Sequence, residues 1–143
     1  MSQENVEIIQ ALIPPPEIDL APIFRDDELF EQTRAAFEHL IDPDTESVAA
    51  FLGGVTYVGV GGFRRLWLDW LEPWATYHTR IDELIDAGDS VVALVRDRGR
   101  RHDMDAEVEL VGGSVWELRD GRIVRVSFLA SRAEALEAAG LSE

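Results

Sequence analysis

Neither cysteine nor lysine occurs among the 143 residues. The first absence excludes disulfides, thiolate metal ligands and thiol nucleophiles. The second leaves arginine as the only strongly basic side chain, 13 residues against 28 Asp and Glu, for a formal net charge of −15. A field of that sign repels phosphate backbones, so nucleic acid is not an expected partner. The charge reads as a solvated acidic surface, with attraction of a cationic ligand as its functional alternative. No apolar run approaches the ~20 residues a membrane helix needs, and Met1-Ser2-Gln3-Glu4-Asn5 has neither the basic start nor the apolar core of a signal peptide. A soluble, cytoplasmic protein is expected. Metal and cofactor motifs are missing as well: there is no His-x-x-x-His, no Gly-x-Ser-x-Gly elbow, and Gly59-Val60-Gly61-Gly62 lacks the Lys and Ser/Thr of a phosphate loop. No cofactor is expected, and the glycines read as a turn.

What is present is a hydrophobic content of 46%, enough in a chain of this length to bury roughly 68–70% of its unfolded surface in one core. One domain, residues 1–143, is expected.

The last third of the chain carries the strongest local signals. Ser90 to Arg96 is a β-branched and apolar run after the turn Asp86-Ala87-Gly88-Asp89, so it predicts a strand covered on both faces. From Ala106 to Leu118 the pattern alternates, with Val108, Leu110, Trp116 and Leu118 on one face and Glu107, Glu109 and Glu117 on the other. Gly112-Gly113 suggests a bulge or bend. Asp120-Gly121 predicts a type I′ hairpin turn into a return strand, Arg122 to Ala130. Ser131 and Glu134 fit a capping box for a terminal helix, Ala133 to Ala139, which Gly140 ends.

Upstream, Val6, Ile9 and Ile13 mark a short helix from Asn5 to Ile13, stopped by Pro14-Pro15-Pro16. Glu17 to Arg25 is too irregular for a helix and reads as a docked connector. Leu29, Phe30, Thr33, Phe37, Leu40 and Ile41 form the stripe of a second helix, about Asp27 to Ile41. A brief strand, Ser47 to Leu52, follows. Phe63, Leu66, Trp67, Trp70, Leu71 and Trp74 then recur at i, i+3, i+4, i+7, i+8 and i+11, giving a third helix with an aromatic face. Tyr77 to Asp86 predicts another strand, although Leu84 and Ile85 break its alternation.

This order implies an α+β fold in which a curved antiparallel sheet wraps three N-terminal helices and a short helix ends the chain. The segments Ser2 to Glu7, Gly53 to Tyr57 leading into Trp67 and Trp70, Ile85 to Asp89, Trp116 to Ile123 and Arg132 to Leu141 resemble the SnoaL-like polyketide cyclases of the nuclear-transport-factor-2-like superfamily. The resemblance implies a cone with an internal cavity and, often, a homodimer formed through the outer sheet face. Its members include isomerases, cyclases, epoxide hydrolases, dehydratases and binding domains. This chain departs from several of their catalytic patterns. The base Asp of ketosteroid isomerases falls near Val48 here, the first helix has no Tyr, and an Arg-x-Asp pair starting at Arg96 meets Arg98. The last strand ends Leu129-Ala130-Ser131 where relatives carry Tyr-x-Asp.

The candidate catalytic residues are His78, Arg96 and Asp97. His78 has an imidazole suited to proton shuttling, unless Tyr77 and Thr79 are the inward residues of that strand. Arg96 and Asp97 point to opposite faces, so only one enters the cavity: Arg96 to orient a carbonyl or carboxylate, or Asp97 as a base whose pKa burial would raise. Asp82 and Glu83 share that ambiguity. His39 and His102 read as surface residues. Tyr57, Trp67, Trp70, Trp74, Trp116 and Phe128 are the candidate ligand-binding residues, able to line a pocket for a flat apolar or aromatic molecule. Three functions remain open: a binding domain for a small apolar ligand, a proton-transfer enzyme of the cyclase, isomerase or epoxide-hydrolase type, and a non-catalytic dimerisation module.

Overall fold

The computed structural model describes residues 2–141, the side chain of Ser2 excepted. Helices α1 (Ser2–Leu12), α2 (Leu20–Arg25) and α3 (Asp27–Phe37) come first, with a 3₁₀ turn at Glu38–Leu40. Strand β1 (Ile41–Ala49), a second 3₁₀ turn (Ala50–Leu52), β2 (Thr56–Val58) and helix α4 (Gly59–Leu71) follow. Strands β3 (Trp74–Asp86), β4 (Ser90–Arg101), β5 (Glu107–Arg119) and β6 (Arg122–Leu129) then lead to α5 (Arg132–Ala138). The six strands form one curved, unclosed sheet in the order β2-β1-β6-β5-β4-β3. All neighbours are antiparallel except β1 and β6, which run parallel.

Several local expectations hold. Asp120 and Gly121 have φ of 55° and 77°, the positive pair that a type I′ turn requires. Ser131 accepts the Glu134 amide at 3.1 Å and caps α5. Val91, Val92, Ala93 and Leu94 are all buried, on both faces of β4. One face packs with Ile9 of α1 and Trp116, and the other with Val115 and Ala135 of α5. The inner, helix-covered face therefore carries Val91, Ala93, Val95, Asp97 and Gly99 of β4.

Other expectations are corrected. The connector is not wholly irregular: Asp19 accepts the Ala21 amide at 3.1 Å and caps α2, whose Leu20 and Phe24 are buried at helical spacing. Pro22 lies in its first turn, where a missing N–H costs nothing. The second helix stops at Phe37, and β1 starts at Ile41. Pro43 is accommodated there because the β1–β6 register shifts between Ile41 and Glu46. Trp74 opens β3 rather than closing α4, since Pro73 ends the helix before it. The Gly59 to Gly62 turn is instead the start of α4. Gly112-Gly113 holds no bulge: both pair in unbroken register with Val95 and Leu94, and a Cβ on Gly113 would lie 2.7 Å from that of Ala135. The missing side chain lets α5 sit on the sheet.

The broken alternation at Leu84 and Ile85 has a definite cause. The β3–β4 register shifts between Ile81 and Glu83, so Thr79 pairs with Asp97 before the shift and Leu84 with Ala93 after it. A bulge flips the parity of a strand. Leu84 thus joins the inner core although its number is even.

Candidate functional site

A cavity of about 640 Å³ lies between the inner sheet face and helices α2, α3 and α4. This is within the roughly 300–1,000 Å³ of small-molecule sites. Its wall is mostly apolar and aromatic. Trp67 stacks on Phe24 with centroids 5.2 Å apart and meets Phe128 edge-on at 5.6 Å. Trp70 meets Tyr77 edge-on at 5.9 Å and holds Phe51 at 4.8 Å. Phe51 is 42% exposed and lines the cavity from the 3₁₀ turn after β1.

One charged side chain of the sheet enters this space. Asp97 lies on the inner face of β4, where Oδ2 accepts from Tyr77 Oη at 2.7 Å and Oδ1 from Thr79 Oγ1 at 2.5 Å. The residue is half-buried and lines the cavity. Burial pushes its carboxyl above the ordinary value, and the two hydroxyl donors partly oppose that rise. The Tyr77 hydroxyl is held far above the usual phenol range, first by burial and then by the neighbouring Asp97 charge. Tyr77 therefore remains a proton donor to Asp97 at any physiological pH. Thr45 and Ser114 add polar atoms to the wall. Ser114 Oγ accepts the Trp116 indole N–H at 2.8 Å, and Thr45 Oγ1 is buried without a hydrogen-bond partner.

The structure divides the sequence candidates. Asp97, Trp67, Trp70, Trp116 and Phe128 line the cavity together. His78 does not: Tyr77 and Thr79 take the inner face, leaving His78 outside with Nδ1 3.0 Å from the Pro16 carbonyl. Arg96 also points outward, paired with Asp82 at 3.3 Å and Glu109 at 3.2 Å. Asp82 shares its carboxylate with Arg132 of α5 and serves the outer surface. Tyr57 is bonded to Asp69 at 2.7 Å on β2, away from the cavity. Trp74 is 4% exposed and packs beneath Tyr77, its ring centroid 5.4 Å away, instead of lining the wall. His102 is exposed, with Nε2 3.1 Å from the Glu72 carbonyl.

Sequence reasoning missed Ser114, Thr45 and the α2 residues Ile23 and Phe24 as wall residues. Ser114 shares the parity of Trp116 on β5, which was the available signal; the others depend on how the helices dock.

The family model described as the SnoaL-like domain matches residues 25–126. The chain belongs to the SnoaL-like family. Solved structures share the fold of this SnoaL-like domain. TerC, co-crystallised with polyporic acid, is 20% identical, with a TM-score of 0.66 over 96% of this chain and 98% of its own. A hypothetical protein of ketosteroid isomerase-like fold from Catenulispora acidiphila DSM 44928, in complex with trimethylamine, is 18% identical at a TM-score of 0.63, covering 94% and 93%. A protein from Jannaschia sp. CCS1, assigned by resemblance as a SnoaL-like polyketide cyclase, is 16% identical at 0.66, covering 88% and 84%. These identities establish a shared fold and nothing of the chemistry. A comparison with curated proteins finds no match.

Proposed function

We propose that this SnoaL-like domain binds a small, largely apolar organic molecule in the cavity beneath its sheet. The observation that carries the reading is the aromatic-walled space of about 640 Å³ with one hydrogen-bonded carboxylate, Asp97, in its wall. Two relatives of the same fold were crystallised with small organic molecules, polyporic acid and trimethylamine, which supports using the cavity this way. The test is a thermal-shift and tryptophan-fluorescence screen against apolar and aromatic compounds. Ligands that fit should raise Tm and quench Trp67 and Trp70. A Val95→Trp variant, which fills the space from β4, should fold but lose both effects. If the variant responds like the wild type, the ligand binds elsewhere and the reading fails.

A second reading is favoured by the surroundings of Asp97: the domain catalyses proton transfer. Ionised Asp97 takes a proton from an acidic C–H of the bound molecule and returns it at another position, while Tyr77 and Thr79 hold the carboxylate in place. Deuterium uptake into a bound ligand, followed by NMR, tests it. Exchange that continues unchanged in Asp97→Asn sinks the assignment. The family resemblance also supports a homodimer through the outer sheet face, which light scattering of the purified protein would check.

A further inference from the structure

Asp97 is a half-buried carboxylate in the cavity wall without a cation against it. The flanking arginines, Arg96 and Arg98, lie on the opposite face of β4, bound to Asp82, Glu109 and Glu107. Among the described residues only the hydroxyls of Tyr77 and Thr79 reach it. Arg34, at the α3 wall, is already held by Glu31 and Glu38 at 2.5 Å each. Buried charges in proteins are paired, and two neutral hydroxyls are not a counter-charge.

The space next to Asp97 is suited to a cation. Tyr77 carries the hydroxyl that binds it, and Trp67 and Trp70 stand with ring centroids 6.1 and 5.9 Å from the Tyr77 ring. Aromatic π-faces attract ammonium groups, more strongly where water is excluded. The net charge of −15 raises the local concentration of cations around the whole molecule. An ammonium group also carries the apolar remainder that the rest of the wall, Phe63, Trp116 and Phe128, can bury.

We infer that the cavity takes an amine: an apolar molecule with one ammonium group lodged between Asp97 and the rings of Trp67, Trp70 and Tyr77. The inference rests on the cavity being the ligand site and adds the charge of the ligand. The probes are benzyltrimethylammonium and its uncharged isostere, neopentylbenzene, titrated into the full chain with tryptophan fluorescence as the readout. The cation should bind about tenfold or more tighter than the isostere, and in Asp97→Asn that preference should fall by about threefold or more, leaving only the part owed to the rings. Equal or better binding of neopentylbenzene to the wild type would overturn the amine proposal while leaving the apolar cavity intact. A preference for the cation that is undiminished in Asp97→Asn would also overturn it, since Asp97 would then contribute nothing to the preference. Binding of neither probe would sink the amine proposal and count against the cavity reading itself. If Asp97→Asn does not fold, the wild-type ratio decides alone.

Discussion

Tyr77 donates to Asp97 at 2.7 Å, yet the two are not opposite each other in the sheet: Tyr77 pairs with Gly99, and Asp97 pairs with Thr79. The bond is diagonal, and it exists because position 99 has no side chain. Tyr77 and Trp74 fill the space above Gly99 with their rings, and this turns the Tyr77 hydroxyl toward the carboxylate. The polar corner of the cavity is therefore set as much by a glycine as by the residues that carry chemistry.

Replacing that glycine should show it. A Cβ on Gly99 would lie 2.7 Å from Trp74 Cε3 and 3.0 Å from Tyr77 Cδ2, both parts of packed rings. Gly99→Ala should cost about 1–3 kcal/mol by overpacking, measured by urea unfolding, and the displaced tyrosine should weaken ligand binding. An unchanged midpoint would show that the rings move aside freely.

Asp97 should be a stability cost at neutral pH. Burial raises its carboxyl in the folded state above the unfolded value of about 3.9. The folded protein then holds the proton where the unfolded chain has released it. The sign follows: stability is full at acid pH and falls as pH rises through the folded-state value. Asp97→Asn, which cannot ionise, should melt above the wild type at about pH 7, with the gap closing near about pH 3.5. Calorimetry across that range checks it, and a variant that melts lower at neutral pH contradicts it.

Arg25 joins the helical layer to the sheet. Its Nη2 donates to the carbonyls of Leu71 at 2.6 Å and Trp74 at 2.7 Å, where α4 ends and β3 begins. The Leu71 carbonyl, in the last turn of α4, has no helical donor of its own. Arg25→Ala should destabilise the fold by about 2 kcal/mol, and Arg25→Lys should recover only part of that, since its ammonium sits one bond short of the Nη2 position. A loss under about 0.5 kcal/mol in chemical denaturation would mean that water replaces the guanidinium.

His78 should matter to the connector and not to the cavity. Its ring meets the Pro16 carbonyl on the outer side of β3, where Arg98 also reaches the same oxygen at 3.4 Å. His78→Ala should leave ligand affinity within about twofold and change stability by about 1 kcal/mol or less. A tenfold loss of affinity would place the imidazole in the binding step after all.

The strands, the hairpin turn and the terminal cap were legible because each is a short-range arrangement. Alternation on β5, the Asp120-Gly121 pair and Ser131 before α5 act over a few residues, and the backbone obeys them wherever the rest of the chain goes. The aromatic face of α4 was legible for the same reason, and it did supply Trp67 and Trp70 to the cavity. What the sequence could not decide was which candidates faced inward. A strand has two faces, and the choice between His78 and Tyr77, or between Arg96 and Asp97, turns on register. Register here includes a shift between Ile81 and Glu83, which the broken alternation at Leu84 and Ile85 marks without saying which face on either side of it turns inward. The same holds for α2, Thr45 and Ser114, whose place in the wall comes from helices docking across the sheet. Composition, periodicity and turn chemistry determined the architecture of this protein; only tertiary packing gathered Tyr77, Thr79 and Asp97 into one corner, because that corner is built from neighbouring strands whose alignment is decided by the whole core.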